Sequence, residues 1–186
     1  MVFKKFMIRF FDITISLICL VLFLPFFIIF LIIIWIDIDS PFYVQKRVGL
    51  NLKTFNLIKF RTMKIGTKSR GTHLINKTDI TATGNFLRKF KIDEIPQLFN
   101  VLLNDMSIVG PRPCLINQKK LILERKKRGV FKVKPGITGL AQLEGVNMST
   151  PVLLSKTDSK MIKKEIGLKK YFKYILLTVN LIIKQI

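Results

Sequence analysis

The feature that most constrains this chain is an uncharged apolar run near its N-terminus. From Ile13 to Ile36, 24 consecutive residues carry no charged side chain. As one helix they would extend about 36 Å, and the hydrocarbon core of a bilayer is about 30 Å thick. No small-residue cleavage site follows the run, which argues against a cleaved signal peptide. We therefore expect residues 1–40 to form a membrane anchor and residues 41–186 to form a separate domain.

Pro25 lies near the centre of this run and leaves two topologies open. A proline inside a helix removes one hydrogen bond and favours a kink. If the chain turns back at Pro25, each arm is about 12 residues, or roughly 18 Å, and both ends stay on one side of the bilayer. If the helix tolerates the proline, it spans the bilayer. The residues alone do not decide between a hairpin and a spanning helix.

The composition fits a membrane protein with an anionic partner. The chain is 49% hydrophobic, with a mean hydropathy of +0.37, which is too apolar for a typical soluble domain. Its 32 Lys and Arg residues against 11 Asp and Glu give a net charge of +21. Such a charge calls for nucleic acid, an acidic membrane surface or phosphorylated substrates. Cys19 and Cys114 do not suggest a disulfide framework, so we expect reduced thiols and a cytosolic catalytic portion.

The chemistry is best placed between Arg88 and Pro113, around the adjacent pair Asp93 and Glu94. Asp93 is a good N-cap candidate for a helix, because apolar residues follow it at helical spacing. The helix dipole would favour ionised carboxylates, so we expect both acids to be charged at neutral pH and available as nucleophile, base or metal ligand. Acids also commonly cap helices without any catalytic role, so the pair alone does not establish an active site.

Cations lie on both sides of this pair. Arg88 precedes it, and Arg112 follows in Gly110–Pro113, a rigid turn that would aim one guanidinium. Two short strands, 42–45 and 54–58, are predicted around a turn at 49–51, and the second runs into Lys59 and Arg61. A solvated charged strand is the alternative interpretation of those two bases.

The remaining chain predicts supporting elements. Residues 64–82 are a polar loop containing His73, the only histidine, to which we assign no role. A strongly basic helix is expected over 115–128, where its charge suits an anionic membrane surface, although a solvated face is the alternative. The apolar tail 171–186 is expected to lie in the membrane interface as an amphipathic helix.

Several motifs occur in a fixed order along the chain. They are KFRTM (59–63), DEIPQLFNVL (93–102), DMSIVGPRP (105–113) and KPGITGLAQ (134–142). With the basic, aromatic N-terminus and the proline-broken apolar run, they resemble the bacterial sugar transferases, which are monotopic polyprenyl-phosphate phosphoglycosyl transferases. The resemblance covers nearly the whole chain. In length the chain is similar to family members that consist of the catalytic domain alone.

This resemblance implies a fold and a reaction. The implied fold is α+β and mostly helical, with a re-entrant helix-break-helix at Pro25, short strands and interfacial amphipathic helices. The implied reaction transfers a sugar phosphate from a UDP-sugar to undecaprenyl or another polyprenyl phosphate, with Mg²⁺, and releases UMP to initiate glycan synthesis. The implied location is the cytoplasmic face of the bacterial inner membrane, with anionic inner-leaflet lipids and later-acting glycosyltransferases as partners and no nucleic acid.

The resemblance also assigns residues. Asp93 corresponds to the family's nucleophile, which forms a covalent phospho-sugar intermediate and helps to bind magnesium, and Glu94 assists it with metal positioning or proton transfer. We expect the substrate and phosphate ligands to be Lys59, Arg61, Arg88, Arg112, Gln142 and Asp158.

Two positions depart from the family pattern. Many relatives carry Ser-Pro at the membrane break, whereas this chain has Leu24 before Pro25. Many also carry an arginine where this chain has Val146, within a GVNMSTP segment, so another base substitutes there or the substrate contacts differ. The sequence does not identify the sugar, the glycan or the oligomeric state.

Three other functions stay open at this point. A membrane-tethered nucleic-acid-binding protein would explain the charge, but its aromatic residues lie mainly in apolar runs rather than in an RNA-stacking motif. A membrane-associated scaffold without catalysis would keep the helices and basic faces. A nucleotide-sugar hydrolase would release UMP without needing polyprenyl phosphate.

Overall fold

The computed structural model describes residues 2–67, 77–163 and 166–184, and it has the mostly helical α+β architecture that the sequence predicts. His73 and most of the predicted 64–82 loop lie outside the described residues. In chain order the elements are α1 (Val2–Ile38), β1 (Phe42–Val48), β2 (Thr54–Phe60), α2 (Ala82–Lys89), α3 (Gln97–Leu102), β3 (Ser107–Val109), β4 (Cys114–Leu115), α4 (Lys119–Lys127), β5 (Gly136–Thr138), α5 (Leu140–Leu143), α6 (Pro151–Ile162) and α7 (Leu168–Ile183).

The apolar N-terminal run forms one helix, α1, with Pro25 inside it. By length and composition α1 could cross a membrane. The residues left a hairpin and a spanning helix open, and the resemblance implied a helix-break-helix at Pro25. The structure continues the helix through Pro25, and the re-entrant topology stays a prediction. The helix can continue because an internal proline costs one main-chain hydrogen bond and bends a helix without having to end it. The side of the membrane on which each end lies stays a prediction, as does the division at residue 40.

Both arms of α1 contact the short helix α3. The Arg9 guanidinium donates hydrogen bonds to the main-chain oxygens of Val101 and Leu102, at 2.6 and 3.0 Å. On the other side of Pro25, the Phe27 ring lies edge-on to Phe99, with centroids 6.1 Å apart. A straight helix would separate residues 9 and 27 by about 27 Å, whereas six-residue α3 is only about 9 Å long. This convergence favours a bend in α1.

The two ends of α1 join different parts of the hydrophobic core. Near the N-terminus, Ile8, Phe11 and Ile15 pack against a cluster that includes Tyr171. Near the C-terminus, Ile34 is fully buried with Ile38 in a second cluster. The middle of the helix is exposed, with Val21 and Leu22 about 70% accessible. Partners in the two clusters are Leu57, Val101, Met106, Ile108, Val109 and Met161 in the first, and Phe60 and Leu87 in the second.

A buried carboxylate also fixes α1. Asp12 Oδ1 accepts hydrogen bonds from the Ser107 hydroxyl at 3.0 Å, the Ile108 main-chain nitrogen at 2.9 Å and the Tyr171 hydroxyl at 2.8 Å. These donors belong to β3 and α7, so a single side chain connects α1 to two other elements. A buried carboxylate is tolerated because its oxygen has these donors.

Two small sheets complete the fold. One has the antiparallel order β2-β1-β4, and the other pairs β3 with β5 in parallel. The predicted strands and the turn between them are confirmed, although β1 continues to Val48 and β2 to Phe60. Gly110, directly after β3, and Gly136, the first residue of β5, approach closely, since a Cβ on Gly136 would lie 2.0 Å from the Gly110 nitrogen. The GPRP and KPG segments therefore pack main chain to main chain.

We predict that both ends of α1 lie on the same side of the membrane as the rest of the chain, because both contact it. In a Cys19→Ser background, Lys4→Cys and Ser40→Cys should resist a membrane-impermeant maleimide in intact spheroplasts and react in inverted vesicles. Glu144→Cys, exposed on the domain, is the matched reference. Labelling of Lys4→Cys from the outer side alone would contradict a re-entrant helix.

Candidate active site

Asp93 and Glu94 lie in a single 3-10 turn, Ile92–Glu94, directly before α3. Lys91 precedes the turn in the left-handed conformation, with φ of 59°. Pro96 caps α3 without any side-chain hydrogen bond. The predicted N-cap role of Asp93 is therefore wrong, because Pro96 holds the N-cap position of α3 and Asp93 lies inside the preceding turn. Both acids are buried.

Glu94 is paired with Arg112, a contact that the sequence analysis did not predict. The guanidinium donates to both carboxylate oxygens, with Nη1 3.4 Å from Oε2 and Nη2 closer to Oε1. Burial alone would raise the pKa of Glu94, but the Arg112 charge and hydrogen bond and the Lys59 charge lower it to about 2. Glu94 is thus anionic at any physiological pH. The Arg112 side chain remains 29% exposed, which leaves donors for a ligand.

The pKa of Asp93 is shifted in the opposite direction from that of Glu94. Burial and the neighbouring Glu94 charge raise the pKa of Asp93 to about 6, against the opposing charges of Lys59 and Arg112. The sequence expected the helix dipole to favour ionisation, and burial outweighs that effect. The carboxylate is still mainly ionised at pH 7. Within the described part of the chain, no hydrogen bond or ion pair engages it, so its oxygens are free for chemistry.

Two predicted cations lie close enough to act on this pair electrostatically. Burial, followed by the charge of Arg112, lowers the pKa of Lys59 to about 8. Arg88 donates from Nε to the Thr62 hydroxyl at 2.8 Å, which orients its guanidinium. Burial lowers the pKa of Arg88, whereas the charges of Asp93 and Glu94 raise it. The structure therefore brings Lys59, Arg88 and Arg112 together around the two acids.

Arg47 is a member of this cation cluster that sequence reasoning missed. It is buried on β1, where it donates to the Pro113 oxygen at 3.0 Å and to Gln45 Oε1 at 2.5 Å. Burial and then the Arg112 charge lower the pKa of Arg47 to about 10. The strand was predicted to end at Gln45, three residues before its actual end at Val48. A longer strand would have placed Arg47 on the same face as Gln45, because side chains two residues apart in a strand point to the same side.

Arg61 is engaged elsewhere. Its guanidinium donates to the main-chain oxygens of Ser40 at 3.0 Å and Phe42 at 3.2 Å, and it lies 5.5 Å from the centre of the Tyr43 ring. These contacts secure the junction between α1 and β1. The structure does not bring Arg61 to the acid pair, so its predicted phosphate contact is not supported by its position.

Asp158 is fully buried and has a supporting role in place of the predicted substrate contact. Its Oδ2 accepts two hydrogen bonds from Arg125, at 2.9 and 2.6 Å. Arg125 in turn donates from Nη1 to the main-chain oxygen of Arg112 at 2.8 Å. Arg125, which the sequence analysis also missed, thus connects Asp158 to the main chain of Arg112 and helps to fix the position of Arg112.

Gln142 and Val146 also pack within the domain. The Gln142 amide donates to the Ile137 oxygen at 3.2 Å, which braces the β5–α5 turn. Val146 packs against the cluster that contains Val48 and Leu154. The position at which many relatives carry an arginine is therefore apolar and partly buried here.

The residues present suit a magnesium ion that arrives with a substrate. Among the described residues no group of three or more His, Cys, Asp or Glu side chains lies together. Glu94 is committed to Arg112, which leaves Asp93 as the free carboxylate. Mg²⁺ is commonly bound by one or two carboxylates together with waters and substrate phosphates, so this donor set fits it.

Comparison with known proteins gives a consistent result. A family described as "Bacterial sugar transferase" matches residues 3–185. The sugar transferase EpsL of Bacillus subtilis (strain 168), itself uncharacterized, is 43% identical over 140 residues, which are 75% of this chain and 69% of EpsL. The UDP-glucose:undecaprenyl-phosphate glucose-1-phosphate transferase of Xanthomonas campestris pv. campestris is 40% identical over 146 residues, 73% of this chain and 29% of that protein.

A third relative extends the comparison. The undecaprenyl-phosphate galactose phosphotransferase of Salmonella typhimurium is 36% identical over 164 residues, or 77% of this chain and 34% of that protein. The chain thus matches most of EpsL and about a third of the longer relatives.

We predict that Asp158→Ala destabilises the protein by about 3–5 kcal/mol, because it leaves the Arg125 charge buried and unpaired. Thermal and urea unfolding of the detergent-purified protein would measure the loss. The double variant Arg125→Met/Asp158→Leu should recover much of the stability, since it replaces the pair with apolar groups. Glu124→Gln, which breaks a peripheral ion pair on α4, is the control and should change unfolding little. An equally small effect of Asp158→Ala would contradict the supporting role.

Proposed function

The chain belongs to the bacterial sugar transferase family, and on this basis we propose that it transfers a sugar 1-phosphate from a UDP-sugar to a polyprenyl phosphate and releases UMP. Undecaprenyl phosphate is the acceptor named for the relatives from Xanthomonas and Salmonella. The observation that carries the proposal is Asp93, a buried carboxylate with a pKa of about 6 that lies beside the fixed Glu94–Arg112 pair. Among the residues that the structure describes, it has no hydrogen-bond or ion-pair partner.

Asp93 is the proposed nucleophile. Its carboxylate attacks the sugar-bearing phosphorus of the UDP-sugar, the bond to the bridging oxygen breaks, and UMP leaves. The resulting aspartyl phospho-sugar is then attacked by an oxygen of the polyprenyl phosphate, which restores the Asp93 carboxylate. A raised pKa accompanies greater basicity in the ionised form, which suits a group that must attack phosphorus at neutral pH.

The surrounding cations reduce the repulsion between the Asp93 carboxylate and the negatively charged pyrophosphate that it attacks. Lys59, Arg88 and Arg112 supply positive charge where the pyrophosphate must lie. With a pKa near 2, Glu94 is a poor proton acceptor, which favours a role in orienting Arg112 over proton transfer. Magnesium, held by Asp93 and the substrate phosphates, would neutralise further phosphate charge.

The membrane location follows from apolar surface at two places. α1 is exposed along its middle, and α7 exposes Leu176 and Ile183 while burying Tyr171. We place the protein on the cytoplasmic face of the bacterial inner membrane, where UDP-sugars and the polyprenyl phosphate headgroup can meet. The product would then start a glycan such as a capsule, O-antigen or exopolysaccharide.

We predict that detergent-purified protein with Mg²⁺ releases UMP from one or a few members of a UDP-sugar panel, and only when undecaprenyl phosphate is present. Asp93→Asn should lower the rate by about 10³-fold or more, because the nucleophile is lost while the membrane helix is untouched. Glu144→Gln, at an exposed acid, should keep the wild-type rate. UMP release without the lipid would indicate a hydrolase, and retained turnover in Asp93→Asn would rule out the covalent step.

We predict a bell-shaped pH profile of kcat/KM. The rate should rise as Asp93 loses its proton near pH 6 and fall as Lys59 loses its proton near pH 8. Lys59→Arg should remove the alkaline fall, since an arginine stays charged there, and leave the acid limb in place. Lys53→Arg, at an exposed lysine, is the matched control. Superimposable alkaline limbs for the wild type and Lys59→Arg would show that Lys59 is not the titrating cation.

A further inference from the structure

A large cationic cavity lies beside the N-terminal end of α1, away from the acid pair. Its volume is about 680 Å³, within the range of ligand pockets. It is lined by α1, the chain from Arg128 to Lys134 and the end of α6. None of the residues assigned above to the reaction centre lines it: Arg47, Lys59, Arg88, Asp93, Glu94 and Arg112 are all absent from its wall.

Seven cations line this cavity, and four of them are unpaired. Lys4, Lys5, Lys132 and Lys163 have no ion pair or side-chain hydrogen bond within the described residues. The acid in the wall is Asp12, whose Oδ1 is already bonded to three donors of β3 and α7. The cavity therefore concentrates positive charge that the described part of the chain does not neutralise.

The other three cations are held in place. Arg9 is fixed on the carbonyl oxygens at the end of α3, Arg128 is paired with Glu124, and Lys134 is bonded to Asn104. Burial and then the charge of Arg9 lower the pKa of Lys134, as expected where positive charges crowd together. Such a site is preorganised for an anion.

The wall of the cavity is also partly apolar, and the end of α1 that forms it carries exposed aromatic residues on its opposite face. Ile8, Ile162 and Ile166 line it. On the same end of α1, Phe3, Phe6 and Phe10 are 53–73% exposed, which suits contact with lipid. A ligand that fits both features has an anionic head and an apolar tail.

We propose that this cavity binds the phosphate headgroup of an anionic membrane phospholipid, at a site separate from the reaction centre. Basic pockets at membrane helices on the cytoplasmic side recognise such headgroups. The bound lipid would neutralise the cluster and secure the N-terminal arm of α1 against the domain. The site would hold the protein at anionic regions of the membrane independently of either substrate.

Native mass spectrometry of the detergent-purified full-length protein tests this site without any sugar donor, so its result is independent of the proposed reaction. Dioctanoyl phosphatidylglycerol should bind, and it should raise the unfolding temperature. The variant Lys132→Glu/Lys163→Glu should bind it at least tenfold more weakly. The control Lys119→Glu/Lys126→Glu carries the same charge change at exposed positions of α4, outside the cavity, and should bind within twofold of wild type.

Other probes separate the alternatives. Dioctanoyl phosphatidylcholine, whose headgroup is zwitterionic, and inorganic phosphate should each bind at least tenfold more weakly than phosphatidylglycerol. Equal losses in the two double variants would mean diffuse surface attraction and would overturn the proposal. Displacement of phosphatidylglycerol by geranylgeranyl phosphate, together with lost UMP release in Lys132→Glu/Lys163→Glu, would identify the cavity as the acceptor site and would also overturn it.

Discussion

The reaction centre depends on the fixed position of Arg112. Its main-chain oxygen is held by Arg125, which Asp158 neutralises, and its guanidinium is held by Glu94. Because Arg112 keeps Glu94 ionised, a negative charge always lies next to Asp93, and that charge together with burial raises the pKa of Asp93. The buried Arg125–Asp158 pair touches neither acid, but it helps to position the arginine that keeps Glu94 ionised.

The motifs in the sequence were enough to predict most of the residues that form the reaction centre. Asp93, Glu94 and Arg112 belong to two neighbouring motifs, and Lys59 begins the KFRTM motif. Arg88 lies near the end of α2, shortly before the acid pair. These residues are close in the chain or close to a recognisable motif, so a linear pattern can indicate them. The strands, the turn between them and the long apolar helix were also predictable, because alternation and hydrophobic runs are local properties.

The supporting residues were not predictable in the same way. Arg47 bonds to a residue 66 positions away, and Arg125 pairs with Asp158 across 33 positions. Periodicity carries no information about which distant side chains will meet. The helix-dipole expectation for Asp93 was overturned for a related reason: α3 is short and the acids lie before it in a 3-10 turn, so burial by the whole fold decides their ionisation.

The short helix α3 connects the membrane anchor to the reaction centre. Its last carbonyl oxygens bind Arg9 of α1, and a cation is favourable there because the C-terminal end of a helix carries partial negative charge. Asn100, fully buried on the same helix, accepts from the Ile58 nitrogen at 3.0 Å and donates to the Asn56 oxygen at 2.7 Å, next to Lys59 on β2. Only Ile95 and Pro96 separate the acid pair from the first residue of α3. The contacts of α3 therefore link α1, the acids and Lys59, so the position of α1 helps to set where the acids and Lys59 lie.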